Sequence, residues 1–192
     1  MLKETPLFSG QYYHIYNRGN NGENLFFEER NYHYFLKLYI HYIYPIADTY
    51  AYCLMKNHFH LLVRMKPEAV AQDWQSYSQA FSNLFSTYTK AINKAYHRSG
   101  SLFEKPFHRI PVNSDSYFIQ LISYIHRNPQ KHGFTDDFRT YPYSFYETIQ
   151  QQKHSRIQTQ QVLNWFGNLT AFEDNHQHDN DAAIQHLIAE DD

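Results

Sequence analysis

The chain has 192 residues and a single cysteine, Cys53, so its core must form without a disulfide. The N-terminus lacks the basic-then-apolar pattern of a signal peptide and no apolar run approaches the roughly 20 residues that cross a bilayer, so we expect a cytoplasmic protein with no membrane partner. Residues 1–156 hold all 17 Lys and Arg against 12 acids, a net charge of +5, whereas the rest holds seven acids, so the basic part is compatible with phosphate binding without requiring it.

Seven elements of two types are predicted from the periodicity of the apolar residues. Runs of alternating β-forming side chains predict strands, and apolar residues at every third or fourth position predict helices. Pro45, Pro67 and Pro129 are each expected to end one of these elements. In chain order the elements are a strand at 11–18, a helix at 28–44, strands at 49–55 and 58–65, a helix at 70–96, a strand at 107–112 and a helix at 116–128.

The order β-α-β-β-α-β-α predicts an α+β fold. Its first six elements match the split βαβ layout of ferredoxin-like domains, in which two helices cover one face of an antiparallel sheet. The opposite face is then available for a site or for the seventh element. We assign this domain to residues 1–140. Residues 141–192 form a polar, acidic C-terminal extension with short helices predicted at 161–169 and 182–192. We interpret the part beyond Gln150 as a flexible appendage or a cover over the site.

His58 and His60 flank Phe59 in the strand at 58–65. Side chains at i and i+2 of a strand point to the same face about 6.6 Å apart, so the two imidazoles can converge on one ion while Phe59 points into the helices. Neutral imidazole is a common ligand of divalent metals. Taken alone, however, the pattern is more typical of two polar residues on a half-exposed strand.

Tyr124 and Asn128 are four residues apart on the last predicted helix and therefore share one of its faces. The Asn128 amide oxygen would complete a metal site, with His132 as a second candidate, and the Tyr124 hydroxyl would stand beside it as a nucleophile. A phenol with a pKa of about 10 needs an activated electrophile at neutral pH, which a divalent ion on a phosphate supplies. Taken alone, Tyr124 is better explained as an aromatic residue of an amphipathic helix.

Three motifs in order, YHIYNRG, NHFHLLV and YIHRNP, resemble those of the single-tyrosine transposases of the HUH superfamily, and in particular the REP-associated tyrosine transposases among the insertion-sequence 200-like proteins. The resemblance covers about residues 12–134. It implies that His58, His60 and Asn128 hold Mg²⁺ or Mn²⁺, with Asn128 standing where many insertion-sequence relatives have Gln. It also implies that Tyr124 cleaves single-stranded DNA at a hairpin through a 5′-phosphotyrosine, and that the protein is a monomer rather than a dimer.

Basic and polar side chains around these motifs are candidates for DNA binding. The segment at 90–109 carries five basic residues and one acidic residue, Glu104. This charge would suit binding of a DNA backbone, and it fits a solvated loop equally well. By the resemblance, side chains of the first loop would read bases, and cations beside the tyrosine would bind the phosphate. The candidates are Asn17, Arg18, Lys90, Lys94, Arg98, Lys105, Arg109, Arg127 and Lys131.

Three functions of different classes fit these observations. The first is a metal-dependent DNA strand transferase that uses Tyr124. The second is a domesticated hairpin-binding protein that no longer cuts DNA. The third is a metallohydrolase that uses the two histidines and a water molecule, with Tyr124 merely structural. The presence of all four residues, His58, His60, Tyr124 and Asn128, favours the first.

Overall fold

A four-stranded antiparallel sheet is the centre of the computed structural model, which describes residues 5–67, 74–153 and 155–178. The strands are β1 (Tyr12–Arg18), β2 (Ala47–Leu54), β3 (His58–Met65) and β4 (His108–Val112), and they lie in the order β2-β3-β1-β4. This is the strand order of the split βαβ layout. The predicted α+β, ferredoxin-like fold is therefore confirmed.

Six α-helices accompany the sheet in the described part of the chain. None of the helices in these ranges is long and apolar enough to cross a membrane. The long helix predicted from residue 70 begins at Trp74, and residues 68–73 lie outside the described ranges. The helices are α1 (Glu29–Tyr42), α2 (Trp74–Ala95), α3 (Asp115–Lys131), α4 (Tyr146–Gln150), α5 (Thr159–Phe166) and α6 (Leu169–Gln177).

The sheet separates two apolar cores because neighbouring side chains on a strand point to opposite faces. Ile15 of β1 and Phe59 of β3 are fully buried in the core built with α1 and α2. Leu62 of β3 lies in the second core, together with Leu121 and Ile125 of α3. The third helix therefore covers the face that the ferredoxin-like layout leaves open, and the even-numbered side chains of β3 lie between the sheet and α3.

Helix α3 begins at a capped N-terminus and extends past the proline that was expected to end it. The Ser114 hydroxyl accepts a hydrogen bond from the backbone N–H of Tyr117, 3.3 Å away, which is a typical N-cap. The prediction that Pro129 ends the helix is wrong, because α3 continues to Lys131. Proline removes one backbone donor, but the carbonyl groups at the end of the helix can still accept hydrogen bonds. The Asn128 carbonyl accepts from the N–H of His132 at 3.0 Å, and the Pro129 carbonyl accepts from the N–H of Phe134 at 2.8 Å.

The start of the C-terminal extension pairs with the outer edge of β2. The N–H of Leu54 donates to the carbonyl of Tyr143 at 2.9 Å, and the N–H of Phe145 donates to the carbonyl of Tyr52 at 3.3 Å. An exposed strand edge invites pairing with another chain, and this segment covers part of that edge. The predicted domain boundary at residue 140 stays a prediction, but it divides segments that are in direct contact.

Helices α5 and α6 pack against α3 and the sheet. The Trp165 ring lies 4.0 Å from that of Phe118, and Phe172 is fully buried with its ring 5.3 Å from that of Tyr146. The helix predicted at 161–169 is broken at Gly167, whose φ of +95° favours glycine. The interpretation of the part beyond Gln150 as a flexible appendage is therefore wrong for residues 151–153 and 155–178. The helix predicted at 182–192 lies outside the described residues.

Because the extension completes the second core, its removal should cost stability instead of freeing the site. We expect Phe172→Ala to lower the free energy of unfolding by about 3–5 kcal/mol, since it leaves a cavity against Tyr146. Thr170→Ala, at an exposed position of the same helix, should change it by less than about 0.5 kcal/mol. Urea unfolding followed by circular dichroism measures both. Equal midpoints for the two variants would contradict the packing role of α6.

Candidate active site

A cavity of about 610 Å³ opens where the C-terminal end of β1 lies beside the N-terminal end of β3. Across these antiparallel strands Arg18 pairs with His58 and Tyr16 with His60, so both strand ends supply side chains to the same opening. Side chains from the loops before β3, before β4 and after α3 complete its wall, among them Asn57, Glu104 and His132.

His58 and His60 point toward the face of the sheet that α3 covers. Their ring centres are 5.4 Å apart, and Phe59 between them is buried in the opposite core. The two imidazoles thus share one face of a strand whose position is held by the anchored phenylalanine. Both line the cavity.

Asn128 approaches His58 from α3. Its amide oxygen Oδ1 lies 3.2 Å from Nε2 of His58, while Oδ1 of Asn57 lies 2.8 Å from Nδ1 of the same ring. Burial lowers the pKa of His58 to about 4, so the ring is neutral at pH 7 and carries one N–H. Each ring nitrogen of His58 therefore lies beside an acceptor oxygen. The neutral ring has a proton on only one of the two nitrogens, so only one of these contacts can be a hydrogen bond. A cation between Nε2 and the Asn128 oxygen would satisfy the other contact.

This set of donor atoms fits a divalent ion. Adjacent ligands of an octahedral ion with bonds of about 2.1 Å lie about 3.0 Å apart, close to the 3.2 Å that separates His58 and Asn128. Nε2 of His60 is buried and has no hydrogen-bond partner in the described part of the chain. No group of three or more His, Cys, Asp or Glu in the described ranges could hold a metal, although the His132 ring centre is 4.8 Å from that of His58. The predicted ligand set therefore relies on the Asn128 amide oxygen as its third donor.

Tyr124 lies beside His60 on the inner face of α3. The two ring centres are 5.5 Å apart and the rings are nearly perpendicular, at 81°. Only 2% of Tyr124 is exposed, and Nζ of Lys131 lies 5.4 Å from the centre of its ring. The structure thus brings the four predicted residues of the chemistry together within one chain, with the tyrosine sheltered from solvent.

His14, within the motif YHIYNRG, is a member of this cluster that was not among the candidate site residues. It is fully buried in β1, and its Nε2 lies 2.9 Å from Nδ1 of His60. Burial lowers the pKa of His14 to about 3 and that of His60 well below its usual value, so both rings are neutral at pH 7. The ferredoxin-like order predicts that β1 lies beside β3, but the register that brings His14 to His60 depends on the folded sheet.

Four of the DNA-binding candidates, Asn17, Lys90, Lys105 and Arg109, line a second cavity of about 860 Å³ between α2 and the loop before β4. Lys90 and Lys105 are exposed there, while Arg109 is buried, stacks on Phe107 at 4.3 Å and donates to the Ser78 hydroxyl at 2.7 Å. Hydroxyl groups along α2 also face this cavity. The two cavities share Asn17 and Glu104 in their walls, so they adjoin each other.

The other DNA-binding candidates take part in contacts within the protein or lie apart from both cavities. Arg18 forms an ion pair with Glu104 at 2.9 Å, and Asn17, which is 2% exposed, donates to the Glu104 carbonyl at 3.2 Å. Arg98 pairs with Glu23 and Arg127 donates to the carbonyl of His178. Lys94 is exposed on α2, and Lys131 faces Tyr124.

Comparison with known proteins agrees with the motifs. No protein-family model matches the sequence. A curated relative from Haemophilus influenzae, named REP-associated tyrosine transposase, is 26% identical over 110 residues, which is 53% of this chain and 59% of the relative. The solved structure of a REP-associated tyrosine transposase bound to a REP hairpin superposes with a TM-score of 0.62 at 14% identity, over 81% of this chain and 89% of that one.

The resemblance to REP-associated tyrosine transposases is confirmed. At 14% identity the solved REP-associated tyrosine transposase shows the fold of this chain. The sequence match, which spans 59% of its relative, is independent of that structural superposition. Both comparisons therefore point to the REP-associated tyrosine transposases, the second of them through the fold alone.

The buried histidines should make the protein acid-sensitive. Burial lowers the pKa of His14 to about 3 and those of His58 and His176 to about 4. The unfolded chain therefore binds protons near pH 6.5 that the folded protein does not bind until much lower pH. The free energy of unfolding should be greatest above about pH 6.5. It should fall by on the order of several kcal/mol in total as the pH drops toward 4.

Urea unfolding at a series of pH values measures this decline. His33→Gln, at an exposed position of α1, should leave its slope unchanged. An unfolding midpoint that stays constant between about pH 7 and 5 would show that the buried rings titrate normally.

Proposed function

We propose that the protein is a metal-dependent single-stranded DNA endonuclease and strand transferase that cuts at hairpin or repeated palindromic sequences through Tyr124. The observation that carries this proposal is the convergence of Tyr124 with His60 and of Asn128 with His58, at a ring distance of 5.5 Å and an atomic distance of 3.2 Å. The resemblance to REP-associated tyrosine transposases, one of which was solved bound to a REP hairpin, supports it.

His58, His60 and Asn128 would hold Mg²⁺ or Mn²⁺. When bound, such an ion neutralises charge on a phosphate and makes its phosphorus a better electrophile. Two imidazoles alone favour later transition metals, and the amide oxygen shifts the preference toward harder ions. The neutral state of both histidines at pH 7 suits this role, since a ligating nitrogen must offer a lone pair.

The proposed reaction forms one bond and breaks one bond at phosphorus. The Tyr124 phenol loses its proton and its oxygen bonds to the phosphorus of a DNA phosphodiester, while the bond from phosphorus to the 3′-oxygen breaks. The 3′-oxygen leaves with a proton as a 3′-hydroxyl, and the 5′-phosphate remains on the tyrosine. Attack of a 3′-hydroxyl on this phosphotyrosine reverses the step and joins strands, so no external energy source is needed.

One chain supplies every group of the proposed chemistry. Tyr124, Asn128 and both histidines meet within a single molecule, so the tyrosine does not have to come from a second subunit. This supports action as a monomer.

The cavity between α2 and the loop before β4 is the proposed path for the DNA backbone. Lys90, Lys105 and Arg109 supply positive charge there, and the cavity adjoins the histidine cavity at Asn17 and Glu104. Cations and hydroxyl groups are the usual partners of phosphate oxygens. A DNA strand cleaved by Tyr124 would therefore continue into this cavity, where contacts to its phosphates would bind it independently of its base sequence.

A hairpin-binding protein that no longer cuts is the second candidate, and the 2% exposure of Tyr124 favours it, because a nucleophile must reach its phosphate. A hydrolase that uses a water molecule is the third. The three candidates differ in whether a covalent adduct forms between the protein and DNA.

Tyr124→Phe tests these alternatives. Wild-type protein, a single-stranded oligonucleotide with a hairpin, and Mn²⁺ should give a covalent adduct on a denaturing gel. Tyr124→Phe keeps the ring beside His60 and should lower adduct formation at least about 10³-fold. Excess EDTA should abolish the adduct, and added Mn²⁺ should restore it. Tyr34→Phe, at an exposed tyrosine of α1, should behave as wild type.

The other outcomes separate the alternatives. Hairpin binding without an adduct in either Mg²⁺ or Mn²⁺ identifies the non-cleaving protein. Cleavage that survives Tyr124→Phe identifies the hydrolase.

A charge-reversal pair tests the DNA path. Lys90→Glu with Lys105→Glu should weaken binding of a hairpin with a single-stranded extension by at least about tenfold, and should lower the slope of log Kd against log salt by about 0.7–0.9 for each lost phosphate contact. Fluorescence anisotropy at several salt concentrations measures both quantities. Lys37→Glu with Lys153→Glu makes the same charge change at exposed positions elsewhere. Equal losses for the two pairs would mean that net charge alone is responsible.

A further inference from the structure

His14 belongs to the motif YHIYNRG, yet the proposed chemistry gives it no role. It lies in the middle of β1, between β3 and β4, where it pairs with Leu62 on one side and Ile110 on the other. The side chain is fully buried and therefore cannot contact DNA directly. Its Nε2 lies 2.9 Å from Nδ1 of His60.

The position of one proton decides whether His60 can bind a metal. A neutral imidazole has one N–H and one lone pair. If His60 carries its proton on Nδ1, this nitrogen donates to His14, and Nε2, on the side of the ring away from His14, keeps a lone pair. If His14 instead donates from Nε2, then Nδ1 of His60 is the acceptor, the His60 proton lies on Nε2, and the ligating position is blocked.

Hydrogen bonding alone does not favour either arrangement. Nδ1 of His14 and Nε2 of His60 are both buried without a hydrogen-bond partner in the described part of the chain. The first arrangement leaves an unsatisfied N–H on His14, and the second leaves one on His60. An ion that takes the lone pair of His60 Nε2 would therefore select the first arrangement.

The surrounding rings restrict the orientation of this pair. The rings of His14 and His60 lie edge to edge and nearly coplanar, with centres 5.1 Å apart and planes at 23°, and Tyr16 stacks on His14 at 4.8 Å. His108 in turn stacks on Tyr16 at 4.6 Å. The row extends across three strands, so neither imidazole can turn without displacing its neighbour. The distance of 2.9 Å between the nitrogens is therefore maintained by packing.

We propose that His14 is a positioning residue: it accepts the Nδ1 proton of His60 and thereby holds the lone pair of His60 Nε2 toward the metal. This inference rests on the proposed metal site. Partners of this kind behind a metal-binding histidine typically contribute about 10–100-fold to metal affinity.

Two substitutions at His14 separate hydrogen bonding from packing. Phe keeps a ring in the row but accepts no proton, whereas the amide oxygen of Gln can occupy the place of Nε2 and accept one. We expect His14→Phe to bind Mn²⁺ about 10–100-fold more weakly than wild type in isothermal titration calorimetry. His14→Gln should recover most of the affinity.

The pair formed by His126 and His176 provides a matched control. It has the same nitrogen distance of 2.9 Å, the same ring separation of 5.1 Å and the same interplanar angle of 23°, but it joins α3 to α6. His176→Phe removes an equivalent hydrogen bond and should leave the Mn²⁺ affinity unchanged. Circular dichroism before each titration verifies that all variants are folded.

A spectroscopic measurement tests the proton position directly. In ¹⁵N spectra of the imidazole nitrogens with saturating Mg²⁺, wild-type His60 should carry its proton on Nδ1. Folded His14→Phe with wild-type affinity for Mn²⁺ would overturn the role of His14, as would His14→Gln binding as weakly as His14→Phe. A wild-type protein that binds no Mn²⁺ would instead refute the metal site of the proposed function, and the inference with it.

Discussion

The alternation of β3 is the constraint on which the site depends. Phe59 is anchored among the side chains of α1 and α2, and because successive residues of a strand point to opposite faces, this anchor directs His58 and His60 to the other face. A shift of β3 by one residue in its pairing register would place both imidazoles among the apolar side chains of α1 and α2, and would turn Phe59 toward α3. The same packing that stabilises the first core therefore specifies the location of the two proposed metal ligands.

Sequence patterns predicted the parts of this protein that are local or that repeat with a fixed period. The strand order followed from the order of the elements, and the shared faces of the pairs His58–His60 and Tyr124–Asn128 followed from strand and helix periods. The meeting of these two pairs depends on how α3 crosses the sheet, which no local pattern gives. His14 was missed for a related reason, since its contact with His60 requires the register between β1 and β3.

Composition was misleading for the C-terminal extension. Its polar, Gln-rich sequence was interpreted as an appendage, yet a few apolar side chains, among them Val162, Leu163 and Phe172, are enough to complete the second core. Sparse apolar residues on short helices give weak periodic signals, and the burial of these helices depends on the surface that α3 presents. The prediction for Pro129 failed differently, because a proline prevents one hydrogen bond without preventing the next turn.

Helix α3 carries Tyr124 and Asn128, the proposed nucleophile and third metal ligand, one helical turn apart on a single rigid body. Its outer side is held by α5 and α6, and its inner side by the sheet. A swing of this helix that uncovered Tyr124 would also draw Asn128 away from His58, so uncovering the phenol and assembling the ligands would compete. Motion compatible with both would therefore lie in the side chain of Tyr124 or in the DNA, and the helix would fix the distance between the proposed nucleophile and the proposed ion.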